Sequence, residues 1–138
     1  MSHVIHFRVY GLPQTKGSTK SFFVKKLNRV VTTNDNEKNK NWAVTVAQEA
    51  AVHRPSALWL GPITLHLNFL LAKPKSLPKR RLSWPTKKPD WDKLARSAGD
   101  AMTGIVYRDD AQVVEAHVFK SYSDQPGVEI TVVEKEIA

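Results

Sequence analysis

The sequence predicts one α/β domain of the α+β type, a mixed β-sheet with two helices packed on it. Apolar and polar residues alternate in several short segments, which is typical of half-buried strands. Two other segments place apolar residues three and four apart, which is typical of amphipathic helices. The 138 residues suffice for one domain, 1–138, and the segments follow one another in the order β-ββ-α-β-α-ββ.

The first half of the chain contains three predicted strands and a helix. Residues 3–10 alternate, and residues 21–33 form a hairpin whose turn contains Asn28, a residue that tolerates positive φ. Asn34 and Glu37 fit an N-cap and its partner three residues later, which begins a helix that runs to about residue 53. Its apolar stripe consists of Ala43, Val46, Ala47, Ala50 and Ala51.

The second half adds the strand that we expect to be central, a second helix and a final hairpin. Residues 62–72 alternate and then become apolar on both faces, as expected of an inner strand. The second helix extends from Asp92, at its N-cap, to Thr103, with Gly104 at the C′ position. The last strands, 113–122 and 128–133, flank a hairpin connection.

The charge balance favours an anionic partner. Lys and Arg number 21 against 13 Asp and Glu, for a net charge of +8. Nucleic acid or an acidic membrane surface would suit this excess, although no apolar run reaches the length of a membrane-spanning helix. The absence of cysteine excludes disulfides, zinc–thiolate sites and cysteine nucleophiles. An alternating N-terminus that carries His3, His6 and Arg8 does not resemble a secretory signal, so we expect a cytoplasmic protein.

Acidic residues are grouped in two places. Asp90 and Asp92 precede the second helix, and Asp109 and Asp110 follow it. Carboxylates repel one another unless they share a cation, and their oxygens are the ligands that Mg²⁺ and Mn²⁺ prefer. The spacing alone also allows a simpler interpretation, in which one aspartate caps the helix and the later pair forms a solvated turn.

A basic segment leads directly into the first acidic pair. Lys73–Lys88 contains seven basic residues, no acidic residue and three prolines, so we expect an extended loop. The loop could be merely solvated, but its position beside the carboxylates favours contact with DNA. Trp84 and Trp91 could stack on bases or anchor the loop, and the sequence leaves both interpretations open.

The segment from Asp90 to Val113 carries a longer pattern, D-x-D-x-L-x-R, then D-A-M-x-G, then D-D-x-Q-V. It resembles the RusA-type Holliday-junction resolvases, with weaker similarity at Lys16-Gly17 and Lys120. The resemblance implies that Asp90, Asp92 and Asp110 bind the metal.

Two catalytic positions depart from the family pattern. Lys93 stands where Asn is usual, and Arg96 stands where a functionally important Lys is usual. The resemblance implies that both side chains contact the scissile or an adjacent phosphate. Arg can clamp a phosphate but is effectively never deprotonated, so the departure argues against proton transfer at position 96. Asp100, inside the helix, is expected to be structural.

The resemblance implies a function as well as a site. We expect a homodimeric, Mg²⁺-dependent (or Mn²⁺-dependent) endonuclease that resolves four-way DNA junctions by paired phosphodiester hydrolysis. Its role would lie in recombination and repair in a bacterium or prophage. The expected DNA contacts are Lys16, Lys20, Lys73, Lys75, Lys79, Arg80, Arg81, Lys87, Lys88 and Lys120. The alternatives are a non-catalytic nucleic-acid-binding protein and a metal-dependent flap or single-strand nuclease.

Overall fold

The computed structural model describes residues 3–15, 19–24, 29–34, 37–78 and 83–136. The elements are β1 (His3–Tyr10), β2 (Thr19–Val24), β3 (Arg29–Asn34), α1 (Glu37–Val52), β4 (Ile63–Leu71), α2 (Trp91–Met102), β5 (Val113–Tyr122) and β6 (Gly127–Glu134). A short 3₁₀ turn, Asp110–Gln112, precedes β5. The predicted order of strands and helices and the α+β class are confirmed.

Four strands form the main sheet in the order β1-β6-β4-β5, and β2 and β3 form a separate antiparallel pair. β4 lies inside the sheet, as predicted, because it pairs with β6 on one side and β5 on the other. The β4–β5 pair is parallel, whereas the other pairs are antiparallel. Parallel neighbours need a crossover connection, and α2 supplies it.

One face of the main sheet forms the hydrophobic core with both helices. Alternate residues of β4 and β6 are buried, and they belong to the same cluster as the inner residues of α1 and α2. The buried helix residues of this cluster are Trp42, Val46, Ala50, Leu94, Ala98 and Met102. This packing fixes α2 along the sheet, and therefore fixes where its two ends lie.

The opposite face of the main sheet is polar. The strand register places His6, Thr131, His66 and His117 side by side across all four strands. The next row in the same direction consists of Arg8, Glu129, Asn68 and Phe119. The rings of His66 and His117 stack with centroids 4.6 Å apart. Since the described helices pack on the core side, this face is open, and we call it the open face below.

The start of α2 differs from the prediction. The helix begins at Trp91 and its N-cap is Asp90, so the proposed N-cap at Asp92 is wrong. The reason is that the carbonyl of Asp90 already accepts a hydrogen bond of 3.1 Å from the backbone N–H of Leu94. Asp92 lies in the first turn, where its carboxylate interacts favourably with the helix N-terminus. The prediction for Gly104 is confirmed, with φ of 82°.

The connection from β4 to α2 contains neither helix nor strand in residues 72–78 and 83–90, as predicted for the basic segment. Lys79–Leu82 lie outside the described residues, as does the turn at 25–28. No helix among the described residues is long and apolar enough to cross a membrane.

Candidate active site

The two acidic pairs lie at opposite ends of the crossover helix. Asp90 and Asp92 belong to the start of α2, whereas Asp109 and Asp110 follow its far end and lead into β5. Asp100, near the end of α2, lies eight residues after Asp92, a separation of about 12 Å along the helix axis. The parallel pairing of β4 and β5 causes this separation, because the chain must return along the sheet before the second strand begins.

The turn after α2 is held by hydrogen bonds that the sequence analysis did not identify. The Asp109 carboxylate accepts from the backbone N–H of Ala111 at 2.9 Å. The side-chain oxygen of Gln112 accepts from the backbone N–H of Asp109 at 2.8 Å, which completes a capping box. The Gln112 amide also donates to the carbonyls of Trp59 and Gly61, so the turn is fixed to the segment before β4. The signal was present in the sequence as an acidic residue followed three positions later by Gln.

Asp110 contacts Asp100, a residue to which the sequence analysis gave only a structural role. The hydrogen bond to Asp100 raises the pKa of Asp110 above its usual range, and slight desolvation and the neighbouring Asp109 carboxylate add to the shift. The backbone N–H of Ala111 lowers the pKa of Asp109. The Asp110 carboxylate therefore lies close to other carboxylates that disfavour its charge, whereas the Asp109 carboxylate caps the turn.

A buried tyrosine lies beneath this group. Tyr107 is fully buried, and its hydroxyl donates to the carbonyl of Gly99 at 2.8 Å. Burial raises the pKa of Tyr107 well above its usual value, and the charges of Asp110 and Asp100 raise it further. The hydroxyl is therefore neutral at physiological pH and serves to fix the end of α2.

Two lysine side chains lie near the start of α2. The Lys93 ammonium lies 3.7 Å from a carboxylate oxygen of Asp90. Lys120 of β5 donates to the carbonyls of Lys87 at 3.1 Å and Pro89 at 2.9 Å. Lys120 thus holds the loop that ends at Asp90, a role for which the sequence offered no signal.

Arg96 lies between the two acidic groups. It is exposed on α2, four residues after Asp92 and four residues before Asp100, so the three side chains share one side of the helix. By this spacing, Arg96 is a basic residue that lies between Asp92 and Asp100 along this side of α2. This position suits a group that contacts phosphate.

The metal ligands that the resemblance implies, Asp90, Asp92 and Asp110, stay a prediction. Among the described residues, no three His, Asp or Glu side chains lie close enough together to hold one metal ion. Asp90, Asp92 and Asp110 are all described, and their carboxylate oxygens have the donor chemistry that a hard divalent cation prefers.

The structure places some of the expected DNA contacts near Asp90. Lys87 and Lys88 are exposed directly before Pro89, and Lys73 and Lys75 lie at the start of the same loop. Lys16, Lys79, Arg80 and Arg81 lie outside the described residues, as does the side chain of Lys20. The described lysines make the surface next to the N-terminal end of α2 basic.

Comparison with known proteins identifies the family. The family model for endodeoxyribonuclease RusA matches residues 13–133, which include both helices and the acidic pairs. The chain is also 33% identical over 137 residues to YqaN of Bacillus subtilis (strain 168), a protein described as uncharacterized, with 93% of this chain and 94% of YqaN covered. The chain therefore belongs to the RusA endodeoxyribonuclease family.

Proposed function

We propose that this protein is a metal-dependent endonuclease that resolves four-way DNA junctions by paired phosphodiester hydrolysis, in recombination and repair. The observation that carries the proposal is the family match over residues 13–133. It is supported by the carboxylates at both ends of α2 and by the exposed Arg96 between them. The net charge of +8 supports a polyanionic substrate.

The proposed ligands of Mg²⁺ are Asp90, Asp92 and Asp110. A bound divalent cation would supply charge stabilisation at the phosphodiester and an activated water. Lys93 and Arg96 would hold the scissile or an adjacent phosphate. The lysines of the basic loop, together with Lys16 and Lys20, would follow the DNA backbone.

A homodimer reconciles this ligand set with the separation of the two acidic pairs. Bringing Asp110 to Asp92 within one chain would require α2 to unwind. Leu94, Ala98 and Met102 of α2 are each 0% exposed, so unwinding would expose a large part of the core. Two copies with antiparallel α2 helices can instead place Asp90 and Asp92 of one chain beside Asp110 of the other. A two-fold dimer also matches the symmetry of a four-way junction.

Cleavage of synthetic DNA tests the proposal. A four-way junction, a flap and a plain duplex of the same sequences are incubated with Mg²⁺ or with EDTA. We expect paired nicks in the junction with Mg²⁺ only. Asp90→Asn, Asp92→Asn and Asp110→Asn should each abolish cleavage and retain junction binding. Asp124→Asn, at an exposed site in the β5–β6 connection, should cleave normally.

Each alternative function gives a different result in the same experiment. Junction binding without cleavage under any metal condition would support a non-catalytic DNA-binding protein. Equal or faster cleavage of the flap would support a flap or single-strand nuclease. Wild-type rates in any two of the three Asp→Asn variants would contradict the proposed ligand set.

A further inference from the structure

A groove of about 450 Å³ crosses the open face of the main sheet, on the side opposite α2. Its volume lies in the range of roughly 300–1,000 Å³ that is typical of small-molecule sites. The residues that line it include two large aromatic side chains, Trp84 and Phe119, and six polar ones. The polar residues are His6, His66, Asn68, Ser121, Glu129 and Thr131.

Both aromatic side chains are presented to solvent. Trp84 is 68% exposed and Phe119 is 61% exposed. The loop that carries Trp84 is held at other points, since the neighbouring Pro85 is buried and Lys120 donates to the carbonyls of Lys87 and Pro89. With most of its surface exposed, the indole is accessible to a ligand at the groove.

The floor of the groove offers hydrogen-bonding groups between these rings. The Asn68 amide donates to one carboxylate oxygen of Glu129 at 3.1 Å, and the ring of His6 is 2.7 Å from the hydroxyl of Thr131. A carboxylate has a second oxygen and an amide has a second N–H, so Asn68 and Glu129 together keep both donor and acceptor capacity. A purely apolar ligand would leave these groups unpaired, whereas a flat ring with a polar edge would suit them.

We propose that this groove binds one unstacked base of single-stranded DNA, with Trp84 and Phe119 as the stacking surfaces. The basic loop favours this occupant, since the exposed Lys87 and Lys88 follow Trp84 closely and can hold the flanking phosphates. An aromatic platform beside a positively charged track is the usual arrangement for single-stranded nucleic acid. The site goes beyond the proposed cleavage function, because it lies on the other sheet face and uses none of the candidate metal ligands.

Binding of two strands that differ only in their bases tests the proposal. Fluorescently labelled (dT)10 is compared with a ten-unit abasic strand that carries the same phosphates, in EDTA, by anisotropy. Stacking of one base changes affinity about 5- to 150-fold, so the full-length protein should bind (dT)10 at least about fivefold more tightly. Trp84→Ala and Phe119→Ala should each remove this preference. Tyr10→Ala should keep it, since Tyr10 is 62% exposed on the same face outside the groove lining.

Two results would overturn the proposal. Equal affinity of the wild-type protein for the two strands would mean that only phosphates are bound. A shift of Trp84→Ala to a smaller oligomer in light scattering would mean that a second copy covers the open face. Thermal unfolding of each variant verifies that these exposed substitutions leave the fold intact. The assay contains no metal, so its outcome is independent of whether the protein cleaves junctions.

Discussion

The carboxyl groups of Asp100 and Asp110 share a hydrogen bond, although one belongs to α2 and the other to the turn that follows it. This contact, with the nearby Asp109, raises the pKa of Asp110. Asp109 behaves in the opposite way, because the N–H of Ala111 lowers its pKa. The negative charge of Asp109 therefore stabilises the folded state, whereas the negative charge of Asp110 destabilises it.

Substitution of the two aspartates should change stability in opposite directions. In EDTA at pH 7, Asp110→Asn removes a charge that the fold disfavours, so its Tm should rise by roughly 1–3 °C. Asp109→Ala removes the capping carboxylate and should lower the Tm. Differential scanning calorimetry of both variants measures the two shifts. A lower Tm in Asp110→Asn would contradict an unfavourable interaction between the carboxyl groups of Asp100 and Asp110.

Mixed dimers should reveal whether the metal site is shared between subunits. Asp92→Asn and Asp110→Asn are each expected to be inactive alone. If the sites are shared, a dimer with one variant of each kind contains one doubly altered site and one intact site. Mixing and refolding the two variants together should therefore restore about half of the single-strand nicking per mixed dimer, measured on a labelled junction.

The control for this experiment is a mixture of Asp90→Asn with Asp92→Asn, which come from the same end of α2. These two substitutions alter both shared sites, so this mixture should remain inactive. Inactivity of both mixtures would place the site within one chain. Light scattering that shows a monomer at tens of micromolar, with and without junction, would contradict the dimer itself.

Lys120→Met should impair cleavage more than binding. Its ammonium donates to the carbonyls of Lys87 and Pro89, and we expect the loop before Asp90 to lose its position without it. Single-turnover cleavage should fall at least about tenfold, as is typical when a positioning group is lost. The salt dependence of junction binding should stay unchanged. Lys87→Met, which removes an exposed ammonium in the same loop, should instead reduce the salt slope by roughly 0.9. A reduced salt dependence of junction binding in Lys120→Met would mean that Lys120 contacts the DNA directly.

Glu115 should contribute stability that is lost in acid. Its carboxylate accepts hydrogen bonds from Lys135 at 2.8 Å, His117 at 3.0 Å and Thr64 at 3.1 Å. These contacts lower the pKa of Glu115 from 4.5 to about 2. Since the folded pKa lies below the unfolded one, the contribution is complete above about pH 4.5 and is lost as the pH falls toward 2.

The measurement is the Tm of wild type and Glu115→Gln between pH 7 and pH 2. Glu115→Gln should have the lower Tm at pH 7, and the two curves should converge below about pH 4.5. A difference that stays constant over the whole range would show that packing, and not charge, accounts for the effect.

The sequence predicted the elements well because their periodicity is local. Alternation defined β1, and the change to apolar residues on both faces marked β4 as an inner strand. Register is not local, so the row of His6, Thr131, His66 and His117 could not be foreseen. The same holds for the partner of Asp110, because its contact with Asp100 depends on the reversal of the chain at Gly104.

The residues of the candidate site stay a prediction, whereas their arrangement in the fold could not be predicted from the sequence. The resemblance indicated Asp90, Asp92 and Asp110, yet it carried no information on which strands are parallel. Once β4 and β5 pair in parallel, α2 must separate Asp92 from Asp110. Likewise, the sequence could not decide whether Trp84 anchors its loop or faces solvent, because its 68% exposure depends on tertiary packing.

Substitution of Arg96 tests whether the basic group on α2 holds a phosphate or transfers a proton in the reaction. Its position between Asp92 and Asp100, one turn after Lys93, lets it approach a phosphate at the acidic surface. As a phosphate clamp, it needs its charge more than its exact donor geometry. Arg96→Lys should therefore lose only about 2- to 5-fold in rate, since a bidentate fork becomes a point charge. Arg96→Ala should lose on the order of 100-fold.

The measurement is single-turnover cleavage of a junction by wild type, Arg96→Lys and Arg96→Ala across a pH series. A clamp leaves the shape of the pH profile unchanged in Arg96→Lys, because neither cation exchanges a proton with the substrate. If position 96 donates or accepts a proton, the shape of the pH profile should change in Arg96→Lys. Lysine can titrate whereas arginine cannot, so Arg96→Lys would then be faster than wild type. A large rate gain in Arg96→Lys, with a titration that the wild type lacks, would refute the clamp and assign proton transfer to position 96.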